Sequence, residues 1–529
     1  MLELELTTPI DSRNDPIDLA VKKYGISPSD IREAKIIHRS LDARAGRPAV
    51  FLYQIRLDLS REDYWLKRMK RRARKVTPFV YHLPEYGTAS LAHRPVIAGF
   101  GPCGMAAGLL LARTGYRPLI LERGPAIEDR KKAVSHYWTA GVLDPKRNVQ
   151  FGEGGAGAFS DGKLTTRVKD PRITVVLDEL IKAGADPSIA WMNHPHIGTD
   201  VFCDIDVNIR KEIERLGGEV RFETKVEDIE IEDGRLKAVI TDAGEVIPAE
   251  ILILAVGHSA RDTFQMLNQR SLFMTPKKFA VGFRAEHLQS FIDAHQYRRI
   301  SDYSSLPPAE YHLAHTSSLN KGVYSFCMCP GGYVVAAAST PETSVTNGMS
   351  YSRRDGSNAN AALLVQVDET DYGEGLFAGM HYQERLEALA YQLGKGKAPC
   401  QTIASFLGRE TDNSVSEVLP TYPLGVEMTD LHPLLSDPLN RSLAEMLEYT
   451  DTIFPGFTGN GALLTGIETR TSSPLRMERS SDTLESSVQG VYPGGEGAGY
   501  AGGIVSSAID GMRIAERILS QYQPLEPSE

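Results

Sequence analysis

The sequence predicts an α/β protein. Its parallel, nucleotide-binding sheet is discontinuous in sequence, with an inserted α+β domain and a small α+β module ahead of it. Three observations lead there. Arg94–Gly124, "RPVIAGFGPCGMAAGLLLARTGYRPLILERG", reads as strand, glycine turn, helix, strand. Gly495–Leu519, "GEGAGYAGGIVSSAIDGMRIAERIL", repeats the glycine turn and helix far away near the carboxyl end. The 47 glycines cluster at 99–108, 152–162 and 490–503, which suggests that separate segments bring bare backbone to one ligand.

The elements follow in order. Residues 1–90 read as the small module. "LELELTT" alternates like a strand, and "DPIDLAVKKYGI" has Asp15 as a helix cap with Pro16 in the first turn. "SPSDIREAKIIHRSLDAR" offers a helical turn and a strand, and "AVFLYQIRLDL" a second strand. The basic run "WLKRMKRRARKV" fits a solvated helix face or linker; contact with an acidic partner is the alternative. Residues 91–270 form the first part of the nucleotide domain. In it, Ile205, Ile209, Ile213 and Leu216 share one helix face. Residues 271–480 form the inserted substrate or cap domain, with strands such as "KFAVGFRAEH" and helices such as "YQERLEALAYQLG". Residues 481–529 complete the nucleotide domain.

Composition limits the function classes. A formal net charge of -10 disfavours nucleic-acid wrapping, although residues 1–90 keep local basic character. Five cysteines in 529 residues are no disulfide framework and suit a reducing compartment. The amino terminus lacks a basic, apolar signal pattern, and no uncharged run approaches membrane-spanning length. The expectation is cytoplasmic, with no membrane partner and an open oligomeric state.

The first chemical motif is Gly99-x-Gly101-x-x-Gly104, extended by Gly108. Gly99 permits the tight turn, Gly101 lets a pyrophosphate approach, and Gly104 lets helix and strand pack closely. Pro102 and Cys103 lie within the turn. Glu122, about 20 residues on, ends the second strand where an acid accepts from an adenosine ribose. An acid there disfavours a 2′-phosphate. Arg123 and Arg130 join these residues as cofactor-binding candidates.

"GAFSDGKL", Gly157–Leu164, has the spacing of a Walker A loop. Leu164 stands where the Mg²⁺-binding hydroxyl belongs, and Pro171 follows too soon for the required helix. The ATP-cradle reading is therefore rejected.

"GVYPGGEGAGYAGGIVSSAIDGMRIAERI" resembles the second flavin-binding motif of FAD enzymes of the glutathione-reductase and fumarate-reductase type. The resemblance implies that Gly495 and Glu496 meet the ribityl chain. It also implies that Gly502, Gly503 and Ile504 form the helix start aimed at the isoalloxazine. "ETKVEDI" is similar to the segment whose backbone, at Val226, meets adenine. "ILILAVGHSA" is similar to the one that closes over FAD, at Ala255 and Gly257. By the same resemblance "GEGGAGAFSDGK" lines the flavin through Gly155, Ala156 and Gly157. Lys163 then either places charge near the isoalloxazine or serves structure. With "CMCPGG" and "NGMSYSRRDGSNANAA", the chain resembles the bacterial family of uncharacterised FAD-dependent dehydrogenases. This implies a Rossmann-like FAD domain, non-covalent FAD and flavin hydride transfer on an unidentified small molecule. No second G-x-G-x-x-G stands between residues 260 and 490, so NADH or NADPH, if it is the reductant, binds transiently at the flavin face.

Candidates for the reacting groups are few. Arg470, just before the second flavin motif, is read as a catalytic carboxylate clamp with a structural salt bridge as the alternative, beside Lys163. Arg353 and Arg354 have a weaker positional case. Cys327 and Cys329 on a regular strand would share a face with Cα atoms about 6.6 Å apart. They are read either as a redox pair or as two small buried residues before a Pro-Gly-Gly turn. The histidines of "NHPHIG" and "HLAH" lack a third ligand, so no metal is expected. Two other function classes stay open: a flavoprotein acting on RNA through residues 1–90, and a non-catalytic FAD-binding scaffold.

Overall fold

Short, almost wholly apolar strands form the central sheet, as burial on both faces requires. A computed structural model describes residues 1–44, 48–410, 413–415, 417–459 and 461–525. Across the sheet the strands run Val491–Pro493, Leu252–Leu254, Val96–Ala98, Leu119–Leu121, Glu219–Arg221. All neighbours are parallel. Val96–Ala98 is central. The chain goes next to the Leu119–Leu121 side and only later to the Leu252–Leu254 side. The strand order therefore reverses beside Val96–Ala98, where open α/β sheets hold their ligands.

Helices cover this sheet. Pro102–Arg113 and Ile504–Leu519 pack on each other so closely that a Cβ at Gly511 would run into the Cys103 carbonyl. Thr199–Arg215 buries Ile205, Ile209 and Ile213. An antiparallel meander, Val226–Glu232, Arg235–Thr241 and Val246–Pro248, stands at one side.

The chain leaves this unit through Met274–Pro276 and returns through Leu475–Met477, which pair antiparallel. Between them lies a seven-stranded sheet. Its order is Ala314–Thr316, Gly322–Cys329, Asn358–Val367, Phe279–Leu288, Leu463–Glu468, Ala398–Thr402, Val426–Met428. Helices Ala378–Leu393 and Asp437–Ile453 pack with it around a core that includes Phe283, Leu386, Met446 and Phe457.

The amino-terminal module is an antiparallel sheet, in the order Ile31–Asp42, Val50–Leu59, Leu2–Pro9, Ala73–Lys75. Alternation in Leu2–Pro9 puts Leu2, Leu4 and Leu6 in a core with Ile55, Leu57 and Trp65. Asp15 caps helix Pro16–Tyr24 by accepting from the Ile17 amide at 2.6 Å. In the basic run, Trp65 and Met69 are buried while Lys67, Arg68 and Lys70–Arg72 face outward or partly so. The module docks at Arg39, whose backbone exchanges hydrogen bonds with Trp191 and Asn193. Residues 76–94 then run irregularly along the carboxyl-terminal helix, where Tyr81 Oη donates to Glu516 at 2.8 Å. Among the described residues no helix is long and apolar enough to cross a membrane.

Candidate functional site

Each glycine turn sits at the carboxyl end of a parallel strand. Gly99 has φ +101°, and a Cβ there would strike the Ala255 carbonyl oxygen. A Cβ at Gly104 would strike the Gly99 carbonyl oxygen, so the helix can begin directly on the turn. Gly101 is the N-cap of Pro102–Arg113 and offers no side-chain cap. The first-turn amides are thus left with a positive partial charge and no side-chain acceptor. Pro102 occupies the first helical position, where a missing N–H costs nothing. The Cys103 side chain is buried against Gly495, whose Cβ would lie 2.9 Å from that of Cys103. Burial pushes its thiol well above the ordinary value. Cys103 therefore offers a ligand its backbone, not its sulfur.

The second uncapped helix start lies alongside. Gly503, φ +157°, is the N-cap of Ile504–Leu519, again without a side-chain cap. Gly502 and Gly503 have no protein atom within 4 Å of a built Cβ. Gly502 also lacks a positive φ, so neither packing nor backbone conformation calls for glycine there. The glycine loop crosses both helix starts. The Gly155 Cβ position is 3.1 Å from Gly101 Cα, and that of Gly157 is 3.4 Å from Ile504 Cγ1. Gly155, Ala156 and Gly157 lie in the 3₁₀ turn Gly155–Phe159. No helix follows Lys163 until Arg172, which agrees with rejecting an ATP cradle. Gly257, φ +73°, is covered by Gly497, where a Cβ would strike the Gly257 carbonyl.

Glu122 is buried and accepts from the amides of Phe100 at 2.8 Å and of Gly124 and Gly152 at 2.9 Å each. A carboxylate has about four acceptor positions, so one is left for a ribose hydroxyl. The Thr224 amide donates to the Glu122 carbonyl at 2.9 Å, which brings buried Val226 to the same end of the sheet.

Arg123 and Arg130 correct the sequence reading. Arg123 pairs with Asp262 at 2.9 and 2.7 Å and lies over the Phe151 ring. Arg130, fully buried, donates to the carbonyls of Asn148, Val149, Gly152 and Glu153. It is a strut that shapes the glycine loop, with its donors spent on backbone.

Arg470 makes the structural salt bridge that was the alternative to its reading as a catalytic clamp. Its Nε and Nη2 clamp Glu387 at 3.0 and 2.8 Å, and Nη1 reaches Ser259 and Ser339. Arg261 holds Glu387 from the other side at 2.8 and 3.0 Å. Burial pushes the Glu387 carboxyl up; Arg470 and Arg261 overcome it and hold the group well below the carboxylate range. The guanidinium expected to clamp a substrate clamps Glu387. Lys163 is also engaged, 3.0 Å from Glu310 and 3.5 Å from Asp161. Arg354 completes that network by binding both acids, while Arg353 is exposed.

Glu496 keeps its carboxylate free. No hydrogen bond to it is found among the described residues, and His258 Nε2 is 3.7 Å away. Burial raises its carboxyl to about 7, with Lys277 opposing and Cys327 adding to the rise. Burial, then Arg470 and Arg261, lower His258 to about 3, so it is neutral at pH 7. Sequence reasoning missed His258, Asp161 and Glu310. Asp161 and His258 sit inside motifs that were quoted for their glycines, and Glu310 carries no spacing signal. Among the described residues no group of three or more His, Cys, Asp or Glu could hold a metal.

The arrangement fits a dinucleotide flavin. Two uncapped helix starts, a glycine loop across them, an unpartnered Glu496 and the open space over Gly502 converge at the strand-order reversal. A protein of Clostridium beijerinckii described as uncharacterized is 44% identical over 511 residues, 95% of each chain. Residues 278–471 match the family described as "FAD-dependent protein, C-terminal domain-like". The chain belongs to this family of FAD-dependent proteins. Within it, residues 2–58 match a domain of unknown function. FAD is the cofactor, and the inserted domain carries the family match.

Solved structures with partial likeness include a geranylgeranyl bacteriochlorophyll reductase-like protein of Thermoplasma acidophilum. It shows 12% identity and a TM-score of 0.32 over 81% of this chain and 78% of that one. Glycine oxidase of Bacillus cereus shows 13% identity and a TM-score of 0.30 over 80% and 94%. Likeness at that level transfers no chemistry to this family member.

Proposed function

We propose that this protein is an FAD-dependent oxidoreductase acting on a small molecule in the cytoplasm, with NADH or NADPH as a transient reductant. The observation that carries the reading is the open cradle at Gly502 and Gly503, bounded by the glycine loop and Glu496. Bound FAD would supply hydride or two-electron transfer there. The amides at Gly101–Gly104 would hold the pyrophosphate and Glu122 the ribose. The helix start at Gly503 would favour negative charge on the reduced ring. Glu496 would hold or release a proton near neutral pH. The insertion at 271–480 would cover the ring and choose the substrate, and all five free cysteines suit a reducing setting.

Anaerobic stopped-flow mixing with NADH, NADPH and dithionite, followed by a metabolite screen for reoxidation, tests the reading. Bleaching and reoxidation within catalytic times support it. A flavin inert to every donor and acceptor would identify a scaffold. Salt-dependent tRNA binding by residues 1–90 would favour RNA chemistry. Arg74 and Lys75, at the end of the basic run, are already paired with Glu3 and Glu62, which argues against a free nucleic-acid surface at that end.

A further inference from the structure

Strand Gly322–Cys329 is irregular where its two cysteines stand. Phe326 pairs with Ala362 and Cys329 with Asn360. Three steps on one strand thus face two on the other, a bulge. Cys327 takes φ +42°, a left-handed conformation rare outside glycine and often tied to function. The bulge replaces the regular same-face spacing and turns the Cys329 thiol back onto the Cys327 backbone. Cys329 Sγ donates its one proton to the Cys327 carbonyl at 3.2 Å. Arg284, fully buried and paired with Glu468, donates to the same carbonyl at 2.9 Å and to Asn360 at 3.1 Å, which locks the bulge.

The pair is asymmetric. Cys329 is fully buried and Cys327 partly exposed, whereas Cys103, Cys203 and Cys400 are buried. Cys327 is within electrostatic reach of Asp161 and Lys163 on the glycine loop, Arg284 on its neighbouring strand and Glu496 at the carboxyl-terminal turn. Those two outer segments are the ones assigned to the flavin. The neighbouring Cys329 thiol, aided by Arg284 and Lys163, lowers the Cys327 thiol against burial and Asp161. The Cys327 sulfur and burial raise that of Cys329.

We propose that Cys327 and Cys329 are a redox-active dithiol that reduces low-molecular-weight disulfides, with Cys327 the attacking sulfur and Cys329 the resolving one. The Cys327 thiolate attacks one sulfur of the substrate. The substrate S–S bond breaks, and the departing thiolate takes up a proton. Cys329 then gives up its proton and attacks Cys327 Sγ, which releases the second thiol. The substrate gains two electrons and two protons, and the pair becomes a disulfide. Reduced FAD, or an added dithiol, returns the two electrons and two protons. The inference rests on the flavoprotein reading for this return only. Because one thiol is buried and the other half-buried, a folded partner is excluded and a small disulfide is the substrate class.

The test uses the full-length holoprotein, reduced with dithiothreitol, desalted without oxygen and mixed with oxidised glutathione. Acid quenching, N-ethylmaleimide and tryptic mass spectrometry follow. Both cysteines lie on the peptide 322–353, between Lys321 and Arg353. The expected result is that peptide unlabelled and lighter by two hydrogens, with Cys103, Cys203 and Cys400 still thiols. Cys329→Ser should trap glutathione on Cys327, and Cys327→Ser should trap none, both with the flavin spectrum retained. Brief labelling of the reduced protein should mark Cys327 at least about tenfold faster than the buried cysteines. Maleimide on both residues after oxidised glutathione overturns the dithiol while FAD uptake leaves the flavoprotein reading intact. A pair that oxidises in a chain unable to take up FAD supports the exchange chemistry and overturns that reading.

Discussion

Gly99 and Gly502 are glycines for different reasons. Gly99 needs its left-handed backbone and abuts the Ala255 carbonyl, while Gly502 faces open space with an ordinary φ. Gly99→Ala should cost roughly 3 kcal/mol of folding stability, read by denaturant titration. Gly502→Ala should leave the FAD-free protein within about 0.5 kcal/mol of the parent. Its FAD affinity should fall about tenfold, or about 1.4 kcal/mol, read by flavin fluorescence. Equal FAD affinity in Gly502→Ala would remove the cradle argument. Glu496 gives a pH signature. Its carboxyl is raised to about 7 from an ordinary 4.5, so the folded state holds the proton that the unfolded state has lost. Stability is therefore greatest below about 4.5 and declines as pH rises to about 7, by about 3 kcal/mol in all. Glu496→Gln should flatten that part of the profile in the FAD-free protein. An unchanged slope would assign the pH dependence to other groups.

Among elements, the buried Arg261–Glu387–Arg470 cluster ties helix Ala378–Leu393 to the chain flanking Gly257 and to the segment returning to the central sheet. Arg470→Met leaves Glu387 with one cation in a fully buried place. The loss should be about 3–5 kcal/mol, seen as a lowered denaturation midpoint before any assay. A variant of parental stability with only a raised KM would restore Arg470 to the substrate. The reason the sequence misled here is physical. Arg470 and Glu387 are 83 residues apart, Arg354 and Asp161 193, and Lys163 and Glu310 147. Pairs that distant leave no periodic or spacing signal. The strand–turn–helix around Gly99 was legible because its geometry is local. The Cys327 bulge was not, since same-face spacing assumed a regular strand.

At the scale of the whole molecule, the proposed FAD site draws on residues 96–257 and 491–504, while Leu2, Leu4, Ile55 and Trp65 give the amino-terminal module a core of its own. A chain beginning at residue 76 should still take up FAD, with affinity within about threefold of the full protein. Equilibrium titration checks it, and loss of uptake would make the module part of the site. The α/β class and the discontinuous sheet were readable because two distant glycine-turn motifs each announced a strand and a helix. The strand order of the inserted, mostly antiparallel sheet was not, since long-range pairing of ten-residue strands such as Phe279–Leu288 and Asn358–Val367 is set by packing. The central claim is tested most directly by denaturing the purified, FAD-reconstituted protein and quantifying the released flavin against chain concentration. The account predicts about one intact FAD per chain, released without proteolysis because it is held by backbone amides and Glu122. A colourless protein that takes up no FAD would contradict it.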